Sequence, residues 1–346
     1  MNDKISIVDV AAVAGVSPAT VSRVINNSHK ASRESVLKVQ EAIKSTGYKV
    51  IPPAHRKGHR PRSRRPASYR KMQVALISQV KPFLLDTPIY SKVMRGIESE
   101  LGDSYYNLIV RNLPVNSPWS AIPHKIDGAI LFNVRSQDPK LLRSFREMPC
   151  VRIMGAGHEH DVFDHVTYNN NTVGRLAAEH LLKNGHKRVV YLGMPILDSR
   201  TFKARYESFT STMENAGATV NGVFNNSLVD ESNNMQLPDV KGLGLAIEQI
   251  KTLPQMPTAI FAPMDTIVIG LYHTLPHYGI VPGKDIEIIG VNNDAIFLNN
   301  FSPRPASVEI HPMKIGREAV KRLFWRMENP KDPLEQIEFE PEIALY

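Results

Sequence analysis

Arg23 and the residues one turn before it have the most specific chemistry in this chain. The Arg23 guanidinium can form a bidentate hydrogen bond to guanine, and Pro18 and Ala19 offer only apolar contact, for instance to a thymine methyl group. Short polar side chains suited to phosphate contacts lie close by in the sequence, namely Ser17, Thr20 and Asn26. The pattern indicates a surface that reads double-stranded DNA. A small structural helical hairpin with a surface arginine is the alternative.

Three short helices within residues 1–50 must position these side chains. Ser6 is the expected N-cap of the first helix, with Asp9 in the capping-box position, and Gly15 ends that helix. Ser17 caps the second helix and Ser32 caps the third. Apolar residues at positions i, i+3 and i+4, or close to that spacing, give each helix one buried face: Val10, Val13 and Ala14; Val21, Val24 and Ile25; Val36, Val39 and Ile43. Such helices around a glycine-containing elbow predict a helix-turn-helix motif, whose second helix lies in the major groove.

The stretch from Ile7 to Asn26 resembles the DNA-binding head of the lactose-repressor (LacI/GalR) family of bacterial transcription regulators. It carries the pattern I-x-x-V-A-x-x-A-G-V-S-x-x-T-V-S-R-V-x-N, and the pair Gly47–Tyr48 closes the head as in that family. The resemblance implies a transcriptional repressor that binds a palindromic operator as a homodimer. It places Pro18, Ala19 and Arg23 at the bases. It places another set near the phosphates: Ser17, Thr20, Ser22, Asn26 and His29.

Charge is unevenly distributed along the 346 residues. The formal net charge is +8, yet residues 51–71 contain eight Lys or Arg side chains and no Asp or Glu. This concentration favours a nucleic-acid-binding end attached to an ordinary globular body. The single cysteine, Cys150, excludes a disulfide within the chain, which suits a reducing compartment. Because no signal peptide and no membrane-length apolar run is found in the sequence, we expect a cytoplasmic protein with no membrane partner.

Residues 51–71 are predicted to form a basic, Pro-rich linker. The family resembled here usually has a hinge helix at this place that inserts a leucine in the minor groove. This chain has no leucine between Leu37 and Leu76. Arg60 and Arg62 belong to a KGHRPR run similar to the core of an AT-hook, which suits a narrow A·T-rich minor groove. The alternative is a disordered tether whose charge only adds unspecific phosphate affinity.

From residue 72 onward, short apolar runs alternate with helical patterns. The runs of strand type are 72–78, 127–132, 150–155, 188–193, 258–263 and 287–292. Such alternation builds parallel sheets with helices on both faces, and the segment is too long for one such sheet. The resemblance implies an N-terminal all-α helix-turn-helix head plus an α/β effector domain of two flavodoxin-like (periplasmic-binding-protein-like) sub-domains. The predicted domains are residues 1–50, a linker over 51–71, and a two-lobed effector-binding and dimerisation domain over 72–346.

The resemblance also implies a small-molecule effector in the cleft between the two sub-domains. Sugar-binding members commonly have carboxylates where this chain has Asn169 and Asn292, and an asparagine where Met264 precedes Asp265. Arg205 retains the arginine of the family. Carboxylates bind vicinal diols through paired, charge-assisted hydrogen bonds. Their replacement favours an effector that is less sugar-like or anionic, or no effector at all.

Other constellations in the sequence are weak. His158–Asp161 with Asp164 and His165 has no common zinc spacing and falls in a predicted loop, and Cys150 is expected to be a buried small residue. We therefore predict no metal, no cofactor and no catalytic residue. Two alternative classes stay open at this point. A solute-binding module would bind a ligand without salt-dependent binding to duplex DNA, and an α/β enzyme would need a catalytic set that the sequence does not reveal.

Overall fold

The structure is a computed structural model that describes residues 6–25, 32–48, 73–80, 85–102, 104–113, 126–134, 145, 148–155, 162–194, 200–226 and 240–344. The chain divides into two compact units, Met1–Arg65 and Pro66–Tyr346. The predicted linker with Arg60 and Arg62 lies outside the described residues, and so do Asn26 and His29. The domain borders at residues 50 and 71 therefore stay predictions.

The amino-terminal unit contains three helices that we call the head: α1 (Ile7–Ala14), α2 (Pro18–Ile25) and α3 (Arg33–Thr46). The predicted capping box of α1 is confirmed. The Asp9 amide donates to Ser6 Oγ at 3.4 Å, and the Ser6 amide donates to Asp9 Oδ2 at 2.7 Å. Gly15 ends the helix with φ 62°, a left-handed conformation that glycine adopts without steric cost.

The core of the head differs from the prediction most clearly at Val13. Val10, Ala11 and Ala14 are the buried residues of α1, whereas Val13 is 59% exposed, so its assignment to the apolar face was wrong. Because α1 packs against both α2 and α3, its buried face turns toward Ala11 and away from Val13. The other two helices contribute Val21, Val39 and Ala42 to this small core, and Val24, Ile25 and Ile43 pack against it.

The second unit contains two mostly parallel sheets. Its strands in chain order are β1 (Gln73–Ser78), β2 (Asn107–Asn112), β3 (Gly128–Phe132), β4 (Cys150–Ile153), β5 (Asp164–Tyr168), β6 (Arg188–Gly193), β7 (Thr219–Phe224), β8 (Ala259–Phe261), β9 (Glu287–Val291), β10 (Ala306–Glu309), β11 (Gln336–Phe339) and β12 (Glu342–Ala344). Its helices are α4 (Pro88–Leu101), α5 (Asn170–Lys183), α6 (Arg200–Asn215), α7 (Val240–Lys251), α8 (Asp265–Thr274), α9 (Ala295–Leu298) and α10 (Pro312–Glu328).

Each sheet forms the centre of one lobe. Lobe 1 has the strand order β11-β5-β4-β3-β1-β2, and lobe 2 has the order β12-β10-β9-β8-β6-β7. Apart from the last strand added at one edge, both orders are those of a flavodoxin-like doubly wound sheet. All neighbouring strands are parallel except β10 and β12. The chain passes between the lobes after β5, after β10 and after β11. The predicted fold of a helix-turn-helix head plus a two-lobed α/β domain is confirmed.

Strand β5 corrects another expectation, because Asp164 and His165 lie on a buried strand and not in a loop. The sequence DHVTY can be buried because its polar groups have partners. Arg322 and Arg326 donate to the Asp164 carboxylate at 2.8 and 2.6 Å, and the His165 ring is 2.9 Å from the Met154 carbonyl. No group of three or more metal-ligating side chains occurs among the described residues.

Within the described ranges, no single helix has both the length and the apolar composition needed to cross a membrane. Only α1 and α2 taken together have such length and composition, and they form a pair bent by 104°.

Candidate DNA-binding helix and effector cleft

Helix α2 presents the predicted base-reading residues on one surface. Pro18, Ala19 and Arg23 are all exposed, whereas Val21 on the opposite side is fully buried in the core of the head. This burial fixes the rotation of α2 about its axis. The exposed residues therefore form a short surface that a DNA major groove can accept.

The beginning of α2 is held by a local hydrogen-bond pair. The Thr20 amide donates to Ser17 Oγ at 3.2 Å, and the two hydroxyl groups lie 2.9 Å apart, which confirms Ser17 as the N-cap. Ser17 is exposed, and Thr20 and Ser22 are partly buried. The free amides at the start of a helix favour an anion, so this end of α2 suits a phosphate group. The roles of these three side chains at the phosphates stay predictions.

The second candidate site is the cleft at the carboxyl ends of the strands in both lobes. In doubly wound sheets a ligand binds where the strand order reverses, which is beside β1 and β3 in lobe 1 and beside β6 and β8 in lobe 2. Lys92 lies in α4, which follows β1 in the chain, and Arg205 lies in α6, the helix that follows β6. Met264 follows β8 directly. The topology thus brings the predicted cleft residues to the expected ends of the sheets.

Arg205 lies at the junction of the two lobes, and its guanidinium is already engaged. Its Nε donates to Asn170 Oδ1 at 3.0 Å, its Nη2 donates to the Tyr168 hydroxyl at 2.7 Å, and its Nη1 donates to the Pro263 carbonyl. The side chain is 2% exposed and also lies 5.5 Å from the Phe202 ring centroid. Arg205 thus joins the end of β5 and the start of α5 to the loop after β8. A ligand that uses Arg205 must share or exchange these bonds.

Asn169 has a structural task at the first connection between the lobes. Its Oδ1 accepts a hydrogen bond from the Thr172 amide at 3.0 Å and caps α5, and its Nδ2 donates to Glu338 Oε2 at 3.4 Å. An aspartate here would cap the helix equally well. The amide therefore changes the charge of the cleft without changing the cap.

Asp265 is turned into lobe 2. Its carboxylate is completely buried, accepts the Ser307 hydroxyl at 2.8 Å and the Asp294 amide at 2.8 Å, and lies where a Cβ at Gly290 would be placed. Burial, together with the nearby charge of Asp294, raises the pKa of the Asp265 carboxyl well above its usual range. In this structure Asp265 supports the loop after β9, and the 8%-exposed Met264 beside it is closer to the surface.

Asn292 contributes its backbone carbonyl to a contact between the lobes. Lys92 Nζ donates to the Asn292 carbonyl at 2.8 Å and to the Asn293 carbonyl at 2.7 Å. Two further hydrogen bonds connect predicted cleft residues to their surroundings. Arg205 donates to the carbonyl of Pro263, which precedes Met264, and Asp265 accepts from the backbone amide of Asp294. Lys92 itself was not among the predicted site residues. Its place near the beginning of α4, in the connection that follows β1, is the signal in the sequence that identifies it.

Two family models match the chain. Residues 6–50 match the model described as "Bacterial regulatory proteins, lacI family", and residues 178–345 match the "Periplasmic binding protein-like domain". The first covers the head and the second covers most of lobe 2 together with the return to lobe 1.

Relatives of known function align along nearly the whole chain. The HTH-type transcriptional repressor PurR of Mannheimia succiniciproducens is 26% identical over 98% of this chain and 97% of its own length. The ribose operon repressor of Escherichia coli K12 is 26% identical over 96% of each chain. Both relatives are repressors by name.

Solved structures share the fold. A complex of the transcriptional regulator CelR with cellobiose has a TM-score of 0.65 at 21% identity and covers 99% of this chain and 98% of its own. A regulator from Enterococcus faecium with bound ribose has a TM-score of 0.66 at 20% identity over 79% of this chain and 97% of its own. With the head, the two lobes and these relatives in agreement, the enzyme alternative is set aside. The chain therefore combines a LacI-family DNA-binding head with a periplasmic-binding-protein-like domain, and its relatives along nearly the whole chain are transcriptional repressors.

Proposed function

We propose that this chain is a cytoplasmic repressor that binds a palindromic operator as a homodimer, one head per half-site. The observation that carries this proposal is the geometry of α2, where Pro18, Ala19 and Arg23 are exposed together and Val21 is buried. A twofold-symmetric protein matches a twofold-symmetric operator, because each head reads one half-site. A small molecule in the cleft changes operator affinity by binding the DNA-competent and DNA-incompetent states unequally.

Selection of genomic fragments with the purified full chain tests this function. The recovered fragments are sequenced and the binding of one of them is measured at several salt concentrations. A discrete palindrome bound far more tightly than random DNA supports the proposal. Binding that is steeply salt-dependent but indifferent to sequence contradicts it, because phosphate contacts alone carry no sequence information.

In this proposal the phosphates are contacted by side chains around α2 and after it. They comprise Ser17, Thr20, Ser22, Asn26 and His29. The linker arginines Arg60 and Arg62 enter the minor groove at the operator centre. A narrow A·T-rich minor groove has an enhanced negative potential that attracts arginine.

Replacement of Arg60 and Arg62 by Ala is expected to weaken binding to operators with an A·T-rich centre more than binding to operators with a G·C-rich centre. Binding constants for two operators that differ only in the central base pairs measure this effect. An equal loss on both operators leaves the linker as an unspecific tether. A variant of Lys57, which lies in the same basic run, is a control for the loss of positive charge.

We also propose that the effector is less sugar-like than ribose and carries an anionic group. The cations Lys92 and Arg205 lie at the cleft, whereas Asn169 and Asn292 are neutral and Asp265 is turned inward. A charge-assisted hydrogen bond from a cation is stronger for a phosphate or carboxylate than for a hydroxyl group.

Thermal unfolding with ribose, cellobiose and ribose 5-phosphate distinguishes these ligand classes. We expect ribose 5-phosphate to raise the midpoint more than either neutral sugar. Asn169→Asp preserves the cap of α5 and adds a negative charge, so it should reduce this effect. A larger shift with a neutral sugar, in the wild-type chain, argues against an anionic effector.

A further inference from the structure

Lys92 connects the two lobes across the cleft. It lies in α4 of lobe 1, and its ammonium donates to two successive carbonyl groups of lobe 2, those of Asn292 and Asn293, at 2.8 and 2.7 Å. Its Nζ also lies 3.7 Å from Asp294 Oδ1. The Lys92 side chain is 18% exposed and that of Asp294 is 1% exposed. These contacts lie beside the segment that joins β10 to α10, because Asn293 Nδ2 donates to Glu309 Oε2, the last residue of β10, at 3.1 Å.

The loop that receives Lys92 is held in an unusual conformation. Asn292 and Asn293 have φ values of 110° and 48°, a region that residues other than glycine seldom adopt. The surrounding lobe fixes these two residues. The Asn292 backbone amide donates to the Val308 carbonyl at 2.9 Å, and the Asn293 backbone amide donates to Ser307 Oγ at 3.0 Å. As a result both carbonyl oxygens meet one ammonium group. Strained backbone conformations of this kind cluster at functional sites, which points to a function for the contact between Lys92 and this loop.

The electrostatic surroundings also require a cation at this place. The pKa of Asp294 is raised to about 6 as the net result of burial, which raises it, the Lys92 charge, which lowers it, and the negative charge of Glu309, which raises it. Asp265, which is fully buried, accepts a hydrogen bond from the Asp294 backbone amide at 2.8 Å. Lys92, which approaches from the opposite lobe, counteracts the effect of burial on the Asp294 carboxyl. The contact joins complementary charges in a largely desolvated position.

We propose that Lys92 is a latch that holds the two lobes closed when no ligand is bound. A ligand in a two-lobed domain stabilises the closed state by bonding both lobes, and Lys92 makes such bonds from within the chain. The closed state is then populated without effector. An anionic effector that binds Lys92 must compete for its ammonium group with the carbonyls of Asn292 and Asn293. The consequence for regulation rests on the proposed effector function, whereas the latch is a contact within one chain.

The lobe separation of the full-length chain can be measured by double electron–electron resonance. Spin labels are attached at Glu98→Cys in lobe 1 and Lys284→Cys in lobe 2, because both native side chains are exposed. Cys150 is buried, and burial raises the pKa of its thiol, so it stays in place. Labelled chains are diluted with unlabelled chains, so that distances within one chain are measured. No ligand is added.

We expect one short-distance population in the wild-type chain and a shift of several ångströms to longer distances in Lys92→Met and Lys92→Gln. Lys92→Arg keeps a cation and should stay closed. Arg95→Met removes an exposed cation from the same helix and should leave the distances unchanged. Two uncharged variants are used, so that if one of them folds poorly the other still tests the latch.

The latch is overturned if both uncharged variants have the distance distribution of the wild-type chain, or if Arg95→Met shifts it as much. The measurement needs neither operator nor effector. Loss of specific DNA binding would therefore contradict the proposed function without affecting this result, and the reverse also holds.

Discussion

At the scale of single residues, hydrogen bonds separate the side chains that support the fold from those that are free to contact a ligand. Asp265 is fully buried and bound to Ser307, although its position near the cleft suggested a ligand contact. Arg23 is exposed on a helix whose opposite side is anchored. The two residues were predicted as site residues by the same resemblance. Because Arg23 is exposed and Asp265 is buried, the case for direct contact with a binding partner is stronger for Arg23.

Glu287 offers a test at the same scale. Burial alone would raise the pKa of its carboxyl, but hydrogen bonds from His180, His186 and Asn184 lower it from 4.5 to about 2. The three donor atoms lie within 2.8 Å of the carboxylate oxygens. The cluster joins the end of α5 to the beginning of β9.

We expect Glu287→Gln to lower the free energy of unfolding by about 1–3 kcal/mol at pH 7, since hydrogen bonds to charged groups are the strong ones. A lowered pKa stabilises the folded state above the unfolded value. The difference between wild type and variant should therefore shrink as the pH falls from 4.5 to about 2. Urea unfolding at several pH values measures it.

Glu179→Gln is the matched control for Glu287→Gln, because Glu179 is about half exposed and pairs with Arg175 one turn earlier in α5. An exposed pair of this kind contributes little to stability. A difference for Glu287→Gln that stays constant between pH 7 and pH 3 would contradict the account of this cluster.

Much of the local structure around these residues could be predicted from the sequence. Capping residues act on neighbours within three positions, so the caps at Ser6, Ser17 and Ser32 followed from spacing alone. The inward turn of Asp265 could not, because its partner Ser307 is 42 positions away. The contact of Lys92 with Asn292 spans 200 positions and depends on how the two lobes close.

At the scale of helices and strands, close backbone approach fixes how α4 and α10 pack in lobe 1. A Cβ at Gly96 would lie 2.2 Å from the Met313 carbonyl oxygen, and one at Gly316 would lie 2.4 Å from the Val93 carbonyl oxygen. Backbone atoms of a packed helix cannot yield as a flexible side chain can. The two glycines therefore allow the helices to cross without intervening side chains.

Gly96→Ala is expected to reduce the free energy of unfolding by about 1–3 kcal/mol, as overpacking of a well-packed contact does. Gly102→Ala, at the end of the same helix, serves as the control because its nearest contact is 3.4 Å away and its φ is −55°. Chemical denaturation followed by circular dichroism measures both variants. Equal effects of the two substitutions would contradict the claim that close backbone approach at Gly96 limits the packing of α4 against α10.

Some strands were not predicted from the sequence, because they lack the continuous apolar run of a buried strand. β2 and β7 are edge strands with half-exposed, partly polar sequences, so they lack a continuous apolar run. β5 is buried but polar, and it relies on Arg322 and Arg326 more than 150 positions away. The interior strands β1, β3, β6 and β9 could be predicted because burial on both faces demands apolar residues.

At the scale of the whole molecule, a DNA-reading head and a two-lobed binding domain occur in one chain. The fold could be predicted because its signature in residues 7–26 is long, and because strands and helices alternate regularly after residue 72. The chemistry of the effector could not be derived in the same way, since three of the family's polar contacts are replaced here. Regulation in this account combines a ligand with the internal contact of Lys92.

Arg23→Ala separates specific recognition of the operator from unspecific binding to DNA. The dissociation constants of wild type, Arg23→Ala and Lys44→Ala are compared on the selected operator and on random DNA. Lys44 is an exposed cation of α3, so its removal lowers the charge of the head without touching α2. We expect Arg23→Ala to lose about 1–3 kcal/mol on the operator, as for one bidentate contact, and much less on random DNA. Equal losses on both DNAs, or equal effects of the two variants, would contradict the account.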